Sequence, residues 1–514
     1  MTFGLTANAA ATPDRTALVC GARRLTYGDL DRWTNRIANA LAARGLGAGG
    51  RVAVLLPNGP EFLAVTHAAG KLGALAVPIN YRWRRNEIAY VLEDAAPEVF
   101  VLDEAFLPEA LPARAAAGRP APEHCLVVGG SSEALPSFTD AVASQGDPPP
   151  PTGIAAGGFN ILVYTSGTTG RPKGVVHPTF DPKVGFESQK RIIEMWGFAR
   201  DDVHLVAGPM YHTMPNAYAA QHLFVGATVV VMPRFDAEEC LRLIAAERIT
   251  TSSMVPAHFI RILELPTEVR ACYDVASVRK ILHAAAPCPP EVKRRIMEVF
   301  PPGAIWEFYG ATEGPGTIIS PDEWLARPGS VGRPWPGITV KILDDDRREL
   351  PAGEVGTIYL SSLGSRKFSY HNAPDKTAAA FFGDSFTVGD VGWLDDAGYL
   401  FIADRRTDMV ISGGVNIYPA EIEAALVAHP DVVDAAVFGV PDERWGESLL
   451  AVVEPRRGAT LDATGVQAWC RGRLADYKTP RTVEFIAELP RDPNGKVLKR
   501  QLREPYWAGR ALRV

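Results

Sequence analysis

The sequence predicts an α/β protein: a large N-terminal domain of layered α/β subdomains over residues 1–404, then a small α+β C-terminal domain over residues 405–514. Three observations predict it. Strand-sized apolar runs alternate with helical patterns as far as residue 299, which marks parallel sheets covered by helices on both faces. After about residue 338 the texture changes to short strands broken by turns, and the last hundred residues carry helices of their own. The 514 residues, 47% hydrophobic and 22% charged, supply a core that needs no disulfide or metal staple.

In the first domain Thr26 and Asp29 form a capping box, after which Leu30, Trp33, Ile37 and Leu41 recur at helical spacing until Gly45 stops the pattern. Arg51–Leu56 predicts a buried strand, 60–72 a helix, and Ala74–Pro78 and Glu98–Leu102 two more strands. The Ala- and Pro-rich stretch 105–123 and the proline run Pro148–Pro151 predict surface connections. A second alternating series opens at Ile161–Tyr164. Its strands are expected over 203–206, 227–231, 249–253 and 280–283, with helices over 237–247 and 289–299. Thr339–Leu343 and Thr357–Leu360 are short strands, and 419–428 and 464–474 are the C-terminal helices.

Lys and Arg number 53 against 59 Asp and Glu, a net charge of −6 that provides no basic stripe for nucleic acid. Cys20, Cys125, Cys240, Cys272, Cys288 and Cys470 lie far apart with no Cys-x-x-Cys pair, so buried thiols in a reducing compartment are expected. No run reaches the ~18 apolar residues of a membrane span. The N-terminus has no basic n-region, so a secretory signal is not expected and a cytoplasmic location is. A homodimer is compatible with all of this.

An alternating α/β chain raises the question of a dinucleotide site, but the strand at 51–56 runs into Pro57-Asn-Gly-Pro60 instead of G-x-G-x-x-G. The informative segment is Tyr164-Thr-Ser-Gly-Thr-Thr-Gly-Arg-Pro-Lys-Gly-Val175. Its small residues let backbone N–H groups approach an anion, while the hydroxyls and Lys173 add donors and charge. It lacks the G-x-x-x-x-G-K-[ST] spacing of a Walker loop. Nine specified positions would recur by chance on the order of 10⁻¹¹ times per window.

This segment resembles the phosphate-binding loop of the adenylate-forming superfamily, which includes acyl-CoA synthetases, peptide-synthetase adenylation domains and luciferases. Further motifs follow in the family's order. Pro209-Met-Tyr-His212 resembles the aromatic–His element at the acyl pocket, and His283-Ala-Ala-Ala-Pro287 the adenine-pocket strand end. Tyr309-Gly-Ala-Thr-Glu-Gly314 matches Y-G-x-T-E, and Thr387-Val-Gly-Asp390 is the T-G-D element with a spacer Val. Asp404-Arg405-Arg-Thr-Asp408 with Ser412-Gly-Gly-Val-Asn-Ile-Tyr-Pro-Ala-Glu421 resembles the hinge and the loop after it. Pro490-Arg-Asp-Pro-Asn-Gly-Lys496 resembles the C-terminal P-x-x-x-x-G-K motif. The match covers roughly residues 12–505.

The resemblance implies the adenylate-forming enzyme fold with a mobile C-terminal domain, and a reaction that activates a carboxylate on the α-phosphate of ATP with loss of pyrophosphate. Such a step needs alignment and charge neutralisation more than covalent chemistry. Thr165, Ser166, Gly167, Thr168, Thr169, Gly170 and Lys173 would hold phosphates, Ala285, Ala286, Pro287 and Tyr309 the adenine, and Asp390 and Arg405 the ribose. Glu313 would bind Mg²⁺ and Thr312 the α-phosphate. Lys496 would meet the charge that develops in the transition state. His212, assigned a catalytic place, also lines the acyl pocket with Met214, Val255, Ala284, Gly310, Ala311 and Pro315, a mostly small or apolar set. An acid uncharged beyond its carboxylate is expected.

Gly413 and Gly414 match the glycines that line the pantetheine tunnel of acyl-CoA synthetases, since a bare backbone permits close approach. The resemblance therefore implies ATP, Mg²⁺ and coenzyme A, with a carboxylic acid as substrate. Two positions depart from the family pattern: Thr407 stands at the hinge where Asp or Lys is usual, and Ala284 stands where many relatives have glycine. Within the same fold, the alternative is a specialised-metabolism ligase with a different acceptor or donor. It would be an amide-forming ligase, or a nitrite-adenylating, ATP-dependent diazotase acting on an aryl amine.

Overall fold

Period-two alternation along the strands decides which helices cover which face of the first sheet. The computed structural model describes residues 3–130, 135–150, 161–165, 172–177, 182–361, 367–406, 408–412, 415–492 and 495–508. The chain divides into two compact units: residues 1–253, 271–281 and 365–379, and residues 254–270, 282–364 and 380–514. In the first unit a four-stranded parallel sheet runs in the order Leu75–Pro78, Arg51–Leu55, Val99–Asp103, Cys125–Val128. Val52, Val54, Val99 and Val101 pack with Leu30, Ile37, Phe62 and Leu63 of the helices Tyr27–Ala42 and Pro60–Lys71. Ala53, Leu55, Phe100 and Leu102 point the other way, against Ile88, Val91 and Leu92 of the helix Arg85–Ala95. Both faces are dry, as an all-parallel sheet requires.

The capping box forms as expected: Thr26 Oγ1 accepts from Asp29 N at 3.1 Å, and the Asp29 carboxylate accepts from Thr26 N at 3.1 Å. The stretch 105–123 does not run over the surface as a connection. It holds the helix Leu107–Ala117, and Ala110 and Ala113 have no exposed surface. Alanine is the strongest helix former, and Pro108 in the first turn removes only an N–H that would lack a partner anyway. Pro112, one turn further on, is tolerated inside it.

The same unit holds a second sheet. Arg23–Thr26 pairs antiparallel with Thr16–Cys20, followed in parallel by Thr228–Val231, Val203–Val206 and Thr251–Met254. The helix Thr213–Val225 crosses between Val203–Val206 and Thr228–Val231. Asn58 ties two loops at this sheet's carboxyl edge, donating to Gly208 O and Met232 O and accepting from Met210 N.

In the second unit, antiparallel strands run Ile305–Ala311, Gly314–Ile319, Ser330–Pro334, Leu400–Arg405, Asp390–Leu394 and Gly356–Ser361. The C-terminal part is organised by the long hairpin Val432–Asp442 and Gly446–Pro455, with Thr482–Phe485 added in parallel and the small hairpin Val410–Ser412, Val415–Ile417 at one end. One face packs on Ile422, Leu426, Val466 and Cys470 of the helices Pro419–Val427 and Ala463–Arg471. The opposite face packs on Leu502 and Tyr506 of the helix Lys499–Trp507. All six cysteines are free thiols. Among the described residues, no helix is long and apolar enough to cross a membrane.

Candidate active site

Antiparallel register brings three of the expected nucleotide residues together. Asp390 opens one strand and Arg405 closes its neighbour, and the two are direct cross-strand partners. Arg405 Nε lies 3.3 Å from Asp390 Oδ1, and the Tyr309 hydroxyl donates to Asp390 Oδ2 at 2.8 Å. Burial, and then the Asp390 carboxylate beside it, hold the Tyr309 hydroxyl well above its ordinary range, so it stays a neutral donor. Thr312 and Glu313 form the two-residue turn between Ile305–Ala311 and Gly314–Ile319. At Gly310 a Cβ would stand 3.0 Å from Gly314 O, so the tight hairpin needs the bare backbone.

Lys496 enters the same cluster from the C-terminal part. The turn before it is closed by Gly495, with φ of 78°, and by the Asp492 side chain accepting from Lys496 N at 2.9 Å. Burial, and then the Arg405 guanidinium, pull the Lys496 ammonium below its usual range, while Asp408, Asp492 and Asp390 pull it back up. An ammonium disfavoured by burial and by a neighbouring guanidinium makes a place that an anion would relieve.

The strand Lys280–His283 leads into Ala284, which is buried, and then into Ala285, Ala286 and Pro287. Ala285 holds a left-handed φ of 74°, a conformation that costs an alanine roughly 1–2 kcal/mol. Behind this segment lies a buried ion pair that the sequence did not flag. Lys293 Nζ, on the helix Pro290–Val299, sits 2.5 Å from Glu307 Oε2, and His283 Nε2 is 3.5 Å from the same oxygen. Glu307 is two residues before Tyr309, so the pair ties the adenine-side strand end to the tyrosine-bearing strand. The weak signal was a lone Glu inside an otherwise apolar strand pattern. Val255 is buried at the N-cap of the helix Pro256–Glu264, and Pro315 pairs opposite Gly310 across the hairpin closed by Ala311 and Gly314.

In the first unit, Thr165 and Lys173 face one another across the hairpin Val163–Thr165 and Lys173–Val176. Ser166, Gly167, Thr168, Thr169 and Gly170 lie outside the described residues, as do Gly413, Gly414 and Thr407. The base of this hairpin is clamped. The Tyr164 hydroxyl donates to Asp94 Oδ2 at 2.6 Å, Ser369–Tyr370 adds a third strand, and Lys173 Nζ lies 5.0 Å from the Tyr370 ring centroid. His212 caps the helix Thr213–Val225, and burial pushes its imidazole down to about 3, which leaves it neutral. Met214 follows in the first turn, half-buried.

The sequence reading also passed over an aromatic–cationic surface beside the small hairpin Val410–Ser412, Val415–Ile417. Trp445 precedes Gly446, which pairs with Ser412, and the Arg444 and Arg481 guanidiniums lie 4.9 and 5.2 Å from its ring centroid. Tyr477 is 54% exposed nearby in sequence, with Lys478 Nζ 5.7 Å from its ring.

The model of the AMP-binding enzyme family matches residues 5–365, and that of the AMP-binding enzyme C-terminal domain matches residues 421–496. The chain belongs to the adenylate-forming, AMP-binding enzyme family. It is 34% identical over 513 residues to the fatty acid–[acyl-carrier-protein] ligase ScoC of Streptomyces coeruleorubidus, covering 98% of this chain and 95% of that one. It is also 34% identical to a long-chain-fatty-acid–CoA ligase of Mycobacterium tuberculosis, covering 94% of each. The crystal structure of ATP-bound MatB from Rhodopseudomonas palustris matches with a TM-score of 0.84 at 32% identity, over 98% of this chain and 99% of that one. The adenylate-forming fold and ATP or AMP binding thus rest on family membership. Among the described residues no group of three or more His, Cys, Asp or Glu could hold a metal. A single carboxylate such as Glu313 suits Mg²⁺ that arrives on phosphate oxygens and keeps its waters, since that ion takes one or two protein carboxylates.

Proposed function

We propose that the protein is an ATP-dependent acid:CoA ligase, and the observation that carries the reading is the convergence of Tyr309, Asp390, Arg405 and Lys496 in a member of this family. Asp390 takes the ribose hydroxyls, Tyr309 stacks on the adenine, and Arg405 holds the ribose and phosphate. Lys173 and the loop 166–170 hold the outgoing phosphates. A carboxylate oxygen attacks the α-phosphorus, the bond to pyrophosphate breaks, and an acyl adenylate forms. Lys496 stabilises the charge shared between carboxylate and phosphate as this happens. Mg²⁺, held by Glu313, would neutralise the phosphate oxygens.

In the second step a thiolate attacks the acyl carbon and AMP leaves. The C-terminal part, residues 405–514, turns near Thr407 so that Gly413 and Gly414 replace Lys496 at the site. Support for coenzyme A as acceptor comes from Trp445, whose ring has the Arg444 and Arg481 guanidiniums close by and which precedes Gly446, the strand partner of Ser412. Such a surface suits an aromatic base carrying phosphates. A second reading, a carrier-protein acceptor, is favoured by the likeness to ScoC.

The test is AMP release with ATP, Mg²⁺ and an acid panel that includes nitrite with an aryl amine, each with and without coenzyme A, with product masses from the same wells. CoA-dependent turnover giving a thioester mass is the expected result. CoA-independent AMP release with an amide or diazo product would overturn the acceptor assignment and leave the adenylation in place.

A further inference from the structure

Asn216 lies in the first turn of the helix Thr213–Val225 and has 0% exposure, yet neither its amide oxygen nor its amide nitrogen has a hydrogen-bond partner. The other buried asparagines among the described residues are bonded through their side chains. Asn58 makes the three bonds given above, Asn8 donates to Gly4 O and Phe224 O, and Asn35 donates to Asp147 O. A buried amide unpaired on both edges has lost its water without replacement, and such groups persist where a ligand or water completes them.

Ser253 supplies a second such group, with 0% exposure and an unpartnered Oγ. Its place follows from the topology. Val203–Val206 and Thr228–Val231 are parallel neighbours, so the helix joining them runs antiparallel to both and starts at their carboxyl ends. Thr251–Met254 is parallel to Val203–Val206, and Thr251 Oγ1 meets His222 Nε2 at 3.0 Å, so this face of the strand looks at the helix. Ser253 is on the same face, ~6.6 Å nearer the carboxyl end. The helix climbs ~6 Å in the four residues from His222 back to Tyr218. Asn216 follows half a turn later, on the face it shares with His212. Both unpaired groups therefore belong to the carboxyl half of this sheet and its crossover helix, Asn216 in the same first turn as Met214 and next to the His212 cap, where open α/β sheets bind their ligands.

We propose that Asn216, with Ser253, determines specificity at the acid site, and that the acid carries a neutral hydrogen-bonding substituent, a hydroxyl or an amino group, on its hydrocarbon body. This rests on the acid-activating function proposed above. A hydroxyl or amino group both donates and accepts, which matches an amide and a serine hydroxyl together. A bare hydrocarbon would leave both protein groups unpaired, and an ionised substituent would gain no opposite charge from either.

The test traps acyl adenylates with hydroxylamine, so that the natural acceptor does not matter. It compares benzoate with its hydroxy and amino derivatives, cinnamate with its para-hydroxy derivative, and octanoate with its terminal hydroxy derivative. For at least one pair the native enzyme should favour the polar member by about 100-fold or more in kcat/KM. Asn216→Leu should shrink that ratio at least about tenfold, through the KM for the acid and without change in the KM for ATP. Ser253→Ala should move it the same way. Leucine replaces an unpaired amide by an apolar group of similar volume, so the Asn216→Leu protein should melt, without acid, at or above the native temperature. A native preference for the unsubstituted member of every pair would overturn the proposal, as would an equal loss for both members in Asn216→Leu. Absence of any acid-dependent adenylate would overturn the proposed function itself, and this inference with it.

Discussion

Single residues at this site derive their chemistry from a neighbour. Asp390 would be one more surface carboxylate were it not opposite Arg405 and under the Tyr309 hydroxyl. Lys496 is held below its ordinary range by burial and by Arg405, which primes it for an incoming phosphate. Lys496→Ala should therefore cut adenylate formation by about 10²–10³-fold or more, the scale seen when one preorganised charge-stabilising donor is removed. Thioester formation from preformed acyl adenylate should persist. Rapid-quench measurement of the two half reactions checks this, and equal loss in both would remove Lys496 from the first step. These four residues were legible because each sits in a dense motif. Asn216 and Ser253 were not, because an amide or hydroxyl becomes informative only when its burial and its lack of partners are known.

At the scale of elements, the strand end 280–283, the helix Pro290–Val299 and the strand Ile305–Ala311 are joined by the pair Lys293–Glu307. Burial pushes the Glu307 carboxyl up even against the pull of Lys293, so the pair persists on geometry and not on solvation. Lys293→Met would leave a carboxylate buried alone and should destabilise the protein by about 3–5 kcal/mol. Adding Glu307→Met should recover most of that loss. Chemical denaturation of the single and double variants decides it, and a single variant within about 0.5 kcal/mol of native would show the pair to be dispensable. The helices expected over 60–72, 237–247, 289–299 and 419–428 fall within a residue of Pro60–Lys71, Ala237–Glu247, Pro290–Val299 and Pro419–Val427. Helical spacing failed at 105–123, where alanine and proline read as a connection while the fold used them as the helix Leu107–Ala117. Pro108 sits in the first turn, where its missing N–H was not needed, while Pro112 lies inside the helix, where sequence rules expect a break.

Across the whole molecule, buried histidines set the acid limit. Burial drives His67 and His222 down to about 4, and His212 and His258 down to about 3. The unfolded chain protonates each near its ordinary 6.5 and the folded chain does not, so stability is fully present above pH 6.5 and falls as pH drops towards those values. Each histidine contributes a slope of about 1.4 kcal/mol per pH unit. Glu323 adds a later loss: burial opposes ionisation, but Ser320, Tyr399 and Arg333 hold its carboxyl down to about 2. Its contribution therefore fades only as pH falls from 4.5 to that value. Urea melts at pH 7.5, 6.5 and 5.5 should show the midpoint falling already between the last two, with Glu423, pushed up to about 7 by burial, offsetting the share of one histidine. A flat profile to pH 5 would contradict the buried, neutral histidines.

The sequence by itself determined the α/β class, the alternation of strands and helices, and the family, because periodicity and dense motifs are local properties of the chain. Tertiary structure alone decided that Glu307 is paired, that the Arg481 guanidinium lies at the Trp445 ring, and that the Asn216 side chain is buried without a partner. The physical reason is the same in each case. Solvation, charge pairing and hydrogen-bond satisfaction depend on which residues distant in sequence come within a few ångströms, and spacing along the chain does not encode that distance.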